Sequence, residues 1–188
     1  MALATMHDLM VAELKDLYSA ETQLVMALPR MATGSVTPRL RKVFTHWLDE
    51  THEHMIRLAH IFRILGESSR GPKCDGIAAL LADAIAMTNA DGDNVVRDAS
   101  IGAAAQRIHR YGIAAYGSTL ALARIMSRHH VASLLELTLS DVKASYDQLL
   151  EVVEDNVTVN ARGFTNDIDK DDADAWLRPL KRGTAVRA

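Results

Sequence analysis

Residues 37–66, TPRLRKVFTHWLDETHEHMIRLAHIFRILG, constrain the fold of this chain more than any other stretch. They open on a Thr-Pro pair suited to a helix start and run unbroken to Gly66, a residue suited to a left-handed cap. Apolar Val43, Trp47, Leu58 and Ile61 recur at helical spacing, so the stretch reads as one long amphipathic helix. A helix of that length hides its stripe only against other long helices. In its middle, Glu50 and His54 stand one turn apart on a side that adjoins the stripe. A carboxylate and an imidazole turned toward a core are costly without partners, which makes both candidate metal ligands.

The remaining chain supplies the helices that could pack on this one. A first helix is expected from Thr5, where Thr-Met-His-Asp approximates a capping box. Its stripe is Met10, Leu14, Leu17, Leu24, Val25 and Leu28. At about 100° per residue Glu21 falls inside that stripe, whereas Asp8, Lys15 and Asp16 point outward. A turn is expected over residues 31–36 and an exposed loop at ESSRGPKCDG. A short crossover helix, GIAALLADAIAMTNA, follows with Leu80, Leu81 and Ile85 as its buried face.

A third long helix is expected from residues 91–93 to about residue 127, with Ile101, Ala105, Ile108, Tyr116, Leu120 and Ala123 inward. Gly112 interrupts that stripe, and His109 lies at its edge. A mid-helix glycine costs about 1 kcal/mol relative to alanine, so it marks close packing or a lost side chain. Residues 128–130 mark the next turn. The fourth helix, residues 131–154, buries Val131, Leu135, Leu139, Val142, Tyr146, Leu149 and Val153. After Val157 the chain turns polar and acidic, with Trp176, Leu177 and Leu180 as its apolar anchors. The expected architecture is all-α: a four-helix bundle with a short crossover helix over residues 1–157, and a polar C-terminal extension, with at most one short helix, over 158–188.

With 188 residues the chain suits one domain with a sizeable core. A net charge of −3 argues against nucleic acid as a partner. No apolar run approaches the roughly 18 residues of a membrane-spanning helix, and the first residues lack the basic leader of a signal peptide. The single cysteine, Cys74, cannot form an internal disulfide, which points to a reducing, cytoplasmic setting. Neither a glycine-rich phosphate loop nor a serine nucleophile elbow is found.

Four segments, ELKDLYSAETQLVMALPRMA, HWLDETHEHMIRLAHIF, RGPKCDGI and AAAQRIHRYGIAAYGSTLALA, resemble the YciF-like group of ferritin-like stress proteins. The resemblance implies a ferritin-like bundle related to rubrerythrin, a homodimer and a link to stress response. In ferritin-like di-metal proteins, glutamates and histidines from four helices hold the metals mid-bundle. The resemblance makes Glu21 and Glu50 the inward glutamates, with His54 one turn on. On the third helix, where relatives read Glu-His-Tyr-Glu, this chain reads His109-Arg110-Tyr111-Gly112. On the fourth, Glu-Glu-Lys is replaced by Asp141-Val142-Lys143, with valine at the core-facing position.

Glu21, Glu50, His54 and His109 are therefore the candidate metal ligands. Two carboxylates and two imidazoles suit one Fe, Mn or Zn ion, but a bridged pair needs more carboxylate. The preferred reading is a degenerate centre without di-iron catalysis, in which Glu21, Glu50, His54 and Tyr116 satisfy one another. The alternative is a single transition metal serving redox or peroxide chemistry. His46, His52, His129 and His130 read as surface residues, the last two at a helix C-terminus where a cation is favoured. The methionines read as core filler, and Cys74 as an ordinary thiol. Arg110 faces away from the bundle axis, where it suits a dimer contact or an acidic partner.

Overall fold

The computed structural model describes the backbone of residues 4–161 and side chains up to Asp155. Five helices follow in order: α1 (Met6–Gly34), α2 (Pro38–Leu65), α3 (Asp75–Thr88), α4 (Asn94–Ile125) and α5 (His129–Ala161). Among the described residues there is no strand. The long helices form the bundle, with α1 against α2, α4 against α5, and the two pairs joined through α2 on α5 and α1 on α4. The crossover helix α3 lies across α1 and α4.

Local chemistry sets most of the ends. Thr5 Oγ1 accepts from the Asp8 N–H at 3.1 Å while Asp8 accepts from the Thr5 N–H at 2.9 Å, a complete capping box. Gly66 takes φ 68° and closes α2 in the left-handed region. Asp93 caps α4 by accepting from the Val95 and Val96 N–H groups.

Several boundaries differ from expectation. Helix α1 runs through Pro29 to Gly34, so the turn expected over 31–36 contracts to 35–37. Its last turn is held because the Ser35 N–H and hydroxyl both donate to Met31 O, and Met31 itself is fully buried. Helix α5 starts at His129 rather than 131, after Ser127 makes the turn with φ 54°. His129 and His130 are exposed as expected, but they sit in the first turn of α5 and not at a helix C-terminus. Helix α5 then passes residues 154 and 157 to reach Ala161, because no glycine or proline intervenes to stop it. The short helix expected in the C-terminal extension lies outside the described residues.

Other expectations need correction. The inward face of α3 is Ile77, Leu81 and Ala84, with Leu80 and Ile85 half-buried. Among the methionines Met10 and Met31 fill the core, but Met6 and Met26 are exposed. Leu139 and Val25 are half-buried. Cys74, at the end of the otherwise exposed loop, is buried, and Asp16 turns toward it instead of outward.

Thr37 precedes Pro38 at the start of α2 but makes no side-chain cap. The cap comes from α4: buried Asp98 accepts from the Val36 N–H at 2.9 Å and the Thr37 N–H at 2.6 Å. This carboxylate faces the positive end of α2 and ties α4 to the α1–α2 turn. Farther along α4, Gly102 allows close approach to α5, since a Cβ there would lie 2.5 Å from Val153 Cγ2. Gly112 is different: a Cβ would meet only Val142 Cγ1, at an ordinary 3.6 Å. Close packing therefore explains Gly102, and a missing side chain explains Gly112.

Two consequences can be measured. Asp98→Ala leaves two backbone donors without their acceptor and should lower unfolding free energy by about 3 kcal/mol; an unchanged denaturation midpoint would remove the cap from this account. Gly102→Ala should cost about 1–3 kcal/mol by overpacking, and the loss should shrink when Val153→Ala is added.

Candidate metal centre

Two apolar clusters fill the bundle. One is built around Leu28, Phe44, Trp47, Ile101 and Leu149, the other around Met10, Leu14, Leu58, Ile61 and Tyr116. Glu21, Thr51, His54, His109, Thr138 and Ser145 are buried polar residues of the same interior. Each has a position forced by helical periodicity: Glu21 lies between buried Leu17 and Leu24, and His54 between Trp47 and Leu58.

Of the four candidate ligands, Glu21 and His54 are brought together. His54 Nδ1 lies 3.3 Å from Glu21 Oε1, with both side chains at least 95% buried. The same oxygen accepts the Tyr116 hydroxyl at 2.7 Å. Burial first, and then the adjacent Glu21, push the Tyr116 phenol well above its ordinary pKa, so it stays protonated and donates. The His54 ring meets the edge of Tyr116, with centroids 6.1 Å apart. Tyr116 is thus the partner that secures Glu21.

The other two lie in different company. Glu50 is 17% exposed and its Oε1 is 3.4 Å from Nε2 of solvent-facing His46, one turn earlier on α2. His109 stacks on Trp47, centroids 3.7 Å apart, and its Nδ1 lies 3.1 Å from Ala105 O. A carbonyl only accepts, so the ring donates from Nδ1 and carries its lone pair on Nε2. Among the described residues no three His, Cys, Asp or Glu side chains are grouped to hold one metal ion. Yet each candidate retains a buried polar atom without a hydrogen-bond partner: Glu21 Oε2, Glu50 Oε2, both His54 nitrogens and His109 Nε2.

The donor set decides what could bind. The core-facing position on α5 is buried Val142, and Gly112 on α4 offers no side chain. A bridged metal pair does not fit these residues. The lone pairs on Glu21, Glu50, His54 and His109 are chemically suited to a single ion. A small enclosed space beside Glu21, Trp47, His109, Gly112 and Val142 lies where the missing side chains would project.

Sequence reasoning missed several neighbours. Asp141 forms an ion pair with Arg57 of α2, and its Oδ2 stands 4.0 Å from His54 Nε2. Arg57 also approaches the Thr138 hydroxyl at 3.4 Å. The signal available was Arg57 three residues beyond His54, on a neighbouring face of one helix. Arg110 lies over the Tyr146 ring at 5.0 Å and so has a partner within its own chain. Cys74 forms a second polar cluster, with Sγ 3.0 Å from the Tyr111 hydroxyl and 3.1 Å from Asp16 Oδ2. Burial raises the thiol's pKa, which keeps it protonated and unreactive.

Residues 5–162 match the model of a family described as a domain of unknown function, DUF892. The chain belongs to the DUF892 family. It is 33% identical to Protein YciF of Escherichia coli (strain K12), over 86% of this chain and 98% of that protein. The crystal structure of the E. coli stress protein YciF superposes with TM-score 0.81 at 32% identity, covering 83% of this chain and 99% of that one. YcfI from Rhodopseudomonas palustris gives TM-score 0.76 at 33% identity, covering 78% and 94% of the two chains. The expected YciF-like, ferritin-like helical bundle is the fold found. No helix among the described residues is long and apolar enough to cross a membrane.

The buried imidazole gives this DUF892 centre a pH dependence. Burial depresses His109 from 6.5 to about 4, so folding favours its neutral form. As pH falls below 6.5 the unfolded chain takes up the proton first, and stability declines until the folded state protonates near 4. At about 1.4 kcal/mol per pH unit the shift is worth roughly 3 kcal/mol. Denaturant titrations of wild type and His109→Gln from pH 7 to 4.5 should therefore converge or cross as pH falls. Parallel curves would mean that His109 is not the group responsible.

Proposed function

We propose that this chain is a stress-associated ferritin-like bundle whose mid-bundle metal site is degenerate and which carries out no di-iron catalysis. The observation that carries the reading is the Tyr116 hydroxyl on Glu21 Oε1, with His54 on the same oxygen. One protein donor, the Tyr116 hydroxyl, already occupies an oxygen that a bridging ligand would have to offer to metal, and His54 Nδ1 stands beside it. Val142, Gly112 and the pairing of Glu50 with His46 agree with it. The stress association rests on likeness to the E. coli stress protein. Cys74, unpaired and buried, supports a reducing, cytoplasmic setting.

One specific observation favours a second reading. The buried atoms without partners on Glu21, Glu50, His54 and His109 could serve a single Fe, Mn or Zn ion. Such an ion would supply Lewis acidity, and Fe or Mn would also supply redox chemistry. The four side chains would orient it, and the surrounding apolar clusters would exclude bulk water.

The two readings part on metal stoichiometry. Protein purified without a histidine tag, loaded with Fe(II), Mn(II) or Zn(II) and then desalted, should retain well under one equivalent. Its melting temperature should be unchanged by metal. One retained equivalent, lost in a Glu50→Ala His54→Ala double variant, would sink the degenerate reading and establish the second. Tyr116→Phe should also cost about 1–3 kcal/mol of stability in the metal-free protein, because Glu21 loses its buried donor.

A further inference from the structure

Where α3 crosses α1, the two helices leave an open groove of about 670 Å3 between them. Ala27 and Leu81 form its buried floor, half-buried Ile85 flanks them, and Met26 stands at its side 73% exposed. The volume falls within the roughly 300–1,000 Å3 of sites that bury a drug-sized molecule, so a tryptophan ring can enter with an aliphatic neighbour. The two charged residues that line the groove, Arg30 and Lys73, are both cations. Both are exposed, and among the described residues neither enters an ion pair. Such a groove selects an occupant that is apolar at its anchor and acidic beside it.

The chain carries a segment of that chemistry. The match to the family ends at residue 162, and 26 residues lie beyond it. Among them five aspartates and a single lysine fall between residues 167 and 174, directly ahead of Trp176 and Leu177. The course of α5 brings this segment to the right end of the bundle. Leu149, Val152 and Val153 share one apolar cluster with Ala27 and Leu81, so the later turns of α5 lie at the level of the groove. Fifteen residues separate Ala161, where α5 ends, from Trp176. An extended chain of that length spans up to about 50 Å, whereas the whole of α1 measures about 44 Å. The groove is within reach.

We propose that the C-terminal segment of this chain folds back onto the α1–α3 groove. Trp176 and Leu177 sit over Ala27, Leu81 and Ile85, and the aspartates ahead of them face Arg30 and Lys73. Burial of the Trp176 ring supplies most of the attraction, because an aromatic side chain brings a large apolar area. Exposed ion pairs add little individually, so the charges set the direction in which the segment lies. The tether holds the segment at an effective concentration of about millimolar, so a contact too weak to form between separate molecules forms within one. Another acidic, amphipathic partner would have to displace it.

Trp176 is its own reporter. Trp47 is the other tryptophan, so the difference between wild type and Trp176→Phe isolates the Trp176 emission in the full chain. That emission should be blue-shifted and several-fold less quenched by acrylamide than free tryptophan amide. Met26→Asp, and separately Arg30→Glu Lys73→Glu, should remove the protection, with circular dichroism melts to establish that each variant is folded. Adding Asp171→Lys Asp172→Lys to the Arg30→Glu Lys73→Glu variant should restore it. Under mild oxidation, Met26→Cys with Ala175→Cys should cross-link within one chain, and Ile56→Cys with Ala175→Cys should not. Trp176 quenched like the free amide in wild type would overturn the proposal. So would protection that survives Met26→Asp and the charge reversal, cross-linking to both cysteines alike, or protection that grows with protein concentration and so places the segment on a second molecule.

Discussion

The structure depends on one constraint: a carboxylate, Glu21, is held inside an apolar bundle and has to be satisfied there. Tyr116 supplies the strongest contact, a 2.7 Å hydrogen bond from a phenol that burial keeps protonated. His54 closes on the same oxygen from α2, and Asp141 with Arg57 stands behind the imidazole. Through these side chains, α1, α2, α4 and α5 meet at one level of the bundle. An unpaired buried carboxylate would cost several kcal/mol, so the network also fixes how the helices are aligned along one another. Slipping one helix by a turn would strand a polar group in the apolar cluster above or below.

Much of this was legible along the chain, for reasons that lie within single helices. Glu21 stands out because helical periodicity puts a charge where the stripe of α1 demands an apolar residue. The capping box at Thr5 and the left-handed Gly66 are local devices whose partners lie within a few residues. The losses at Gly112 and Val142 were visible by resemblance. The absence of any close neighbour at Gly112 then identified a missing side chain rather than tight packing.

What stayed hidden depends on contacts between distant segments. Asp98 caps α2 from 61 and 62 residues away, and no local pattern announces it. Cys74 lies in a stretch rich in serine, glycine and proline that reads as exposed. It is buried because Asp16 and Tyr111 reach it from two helices. Glu50 shows the converse error: its helical position adjoins the stripe, but a 17% exposed side chain found His46 instead of His54. Periodicity places a Cβ, and the last few torsions decide which neighbour a long side chain takes. The end of α5 was misjudged because a change in composition was taken as a change in structure, although no helix-breaking residue stood there.

The most direct test of the central claim is anomalous diffraction at the Fe, Mn and Zn edges from crystals soaked in each metal. The claim is that Glu21 takes its hydrogen bond from Tyr116, with His54 beside the same oxygen, and that the bundle cannot hold a bridged metal pair. It predicts a Tyr116 hydroxyl within hydrogen-bond distance of Glu21 and no pair of anomalous peaks at mid-bundle. Two peaks roughly 3.5–4 Å apart, with Glu21 between them and Tyr116 displaced, would contradict it.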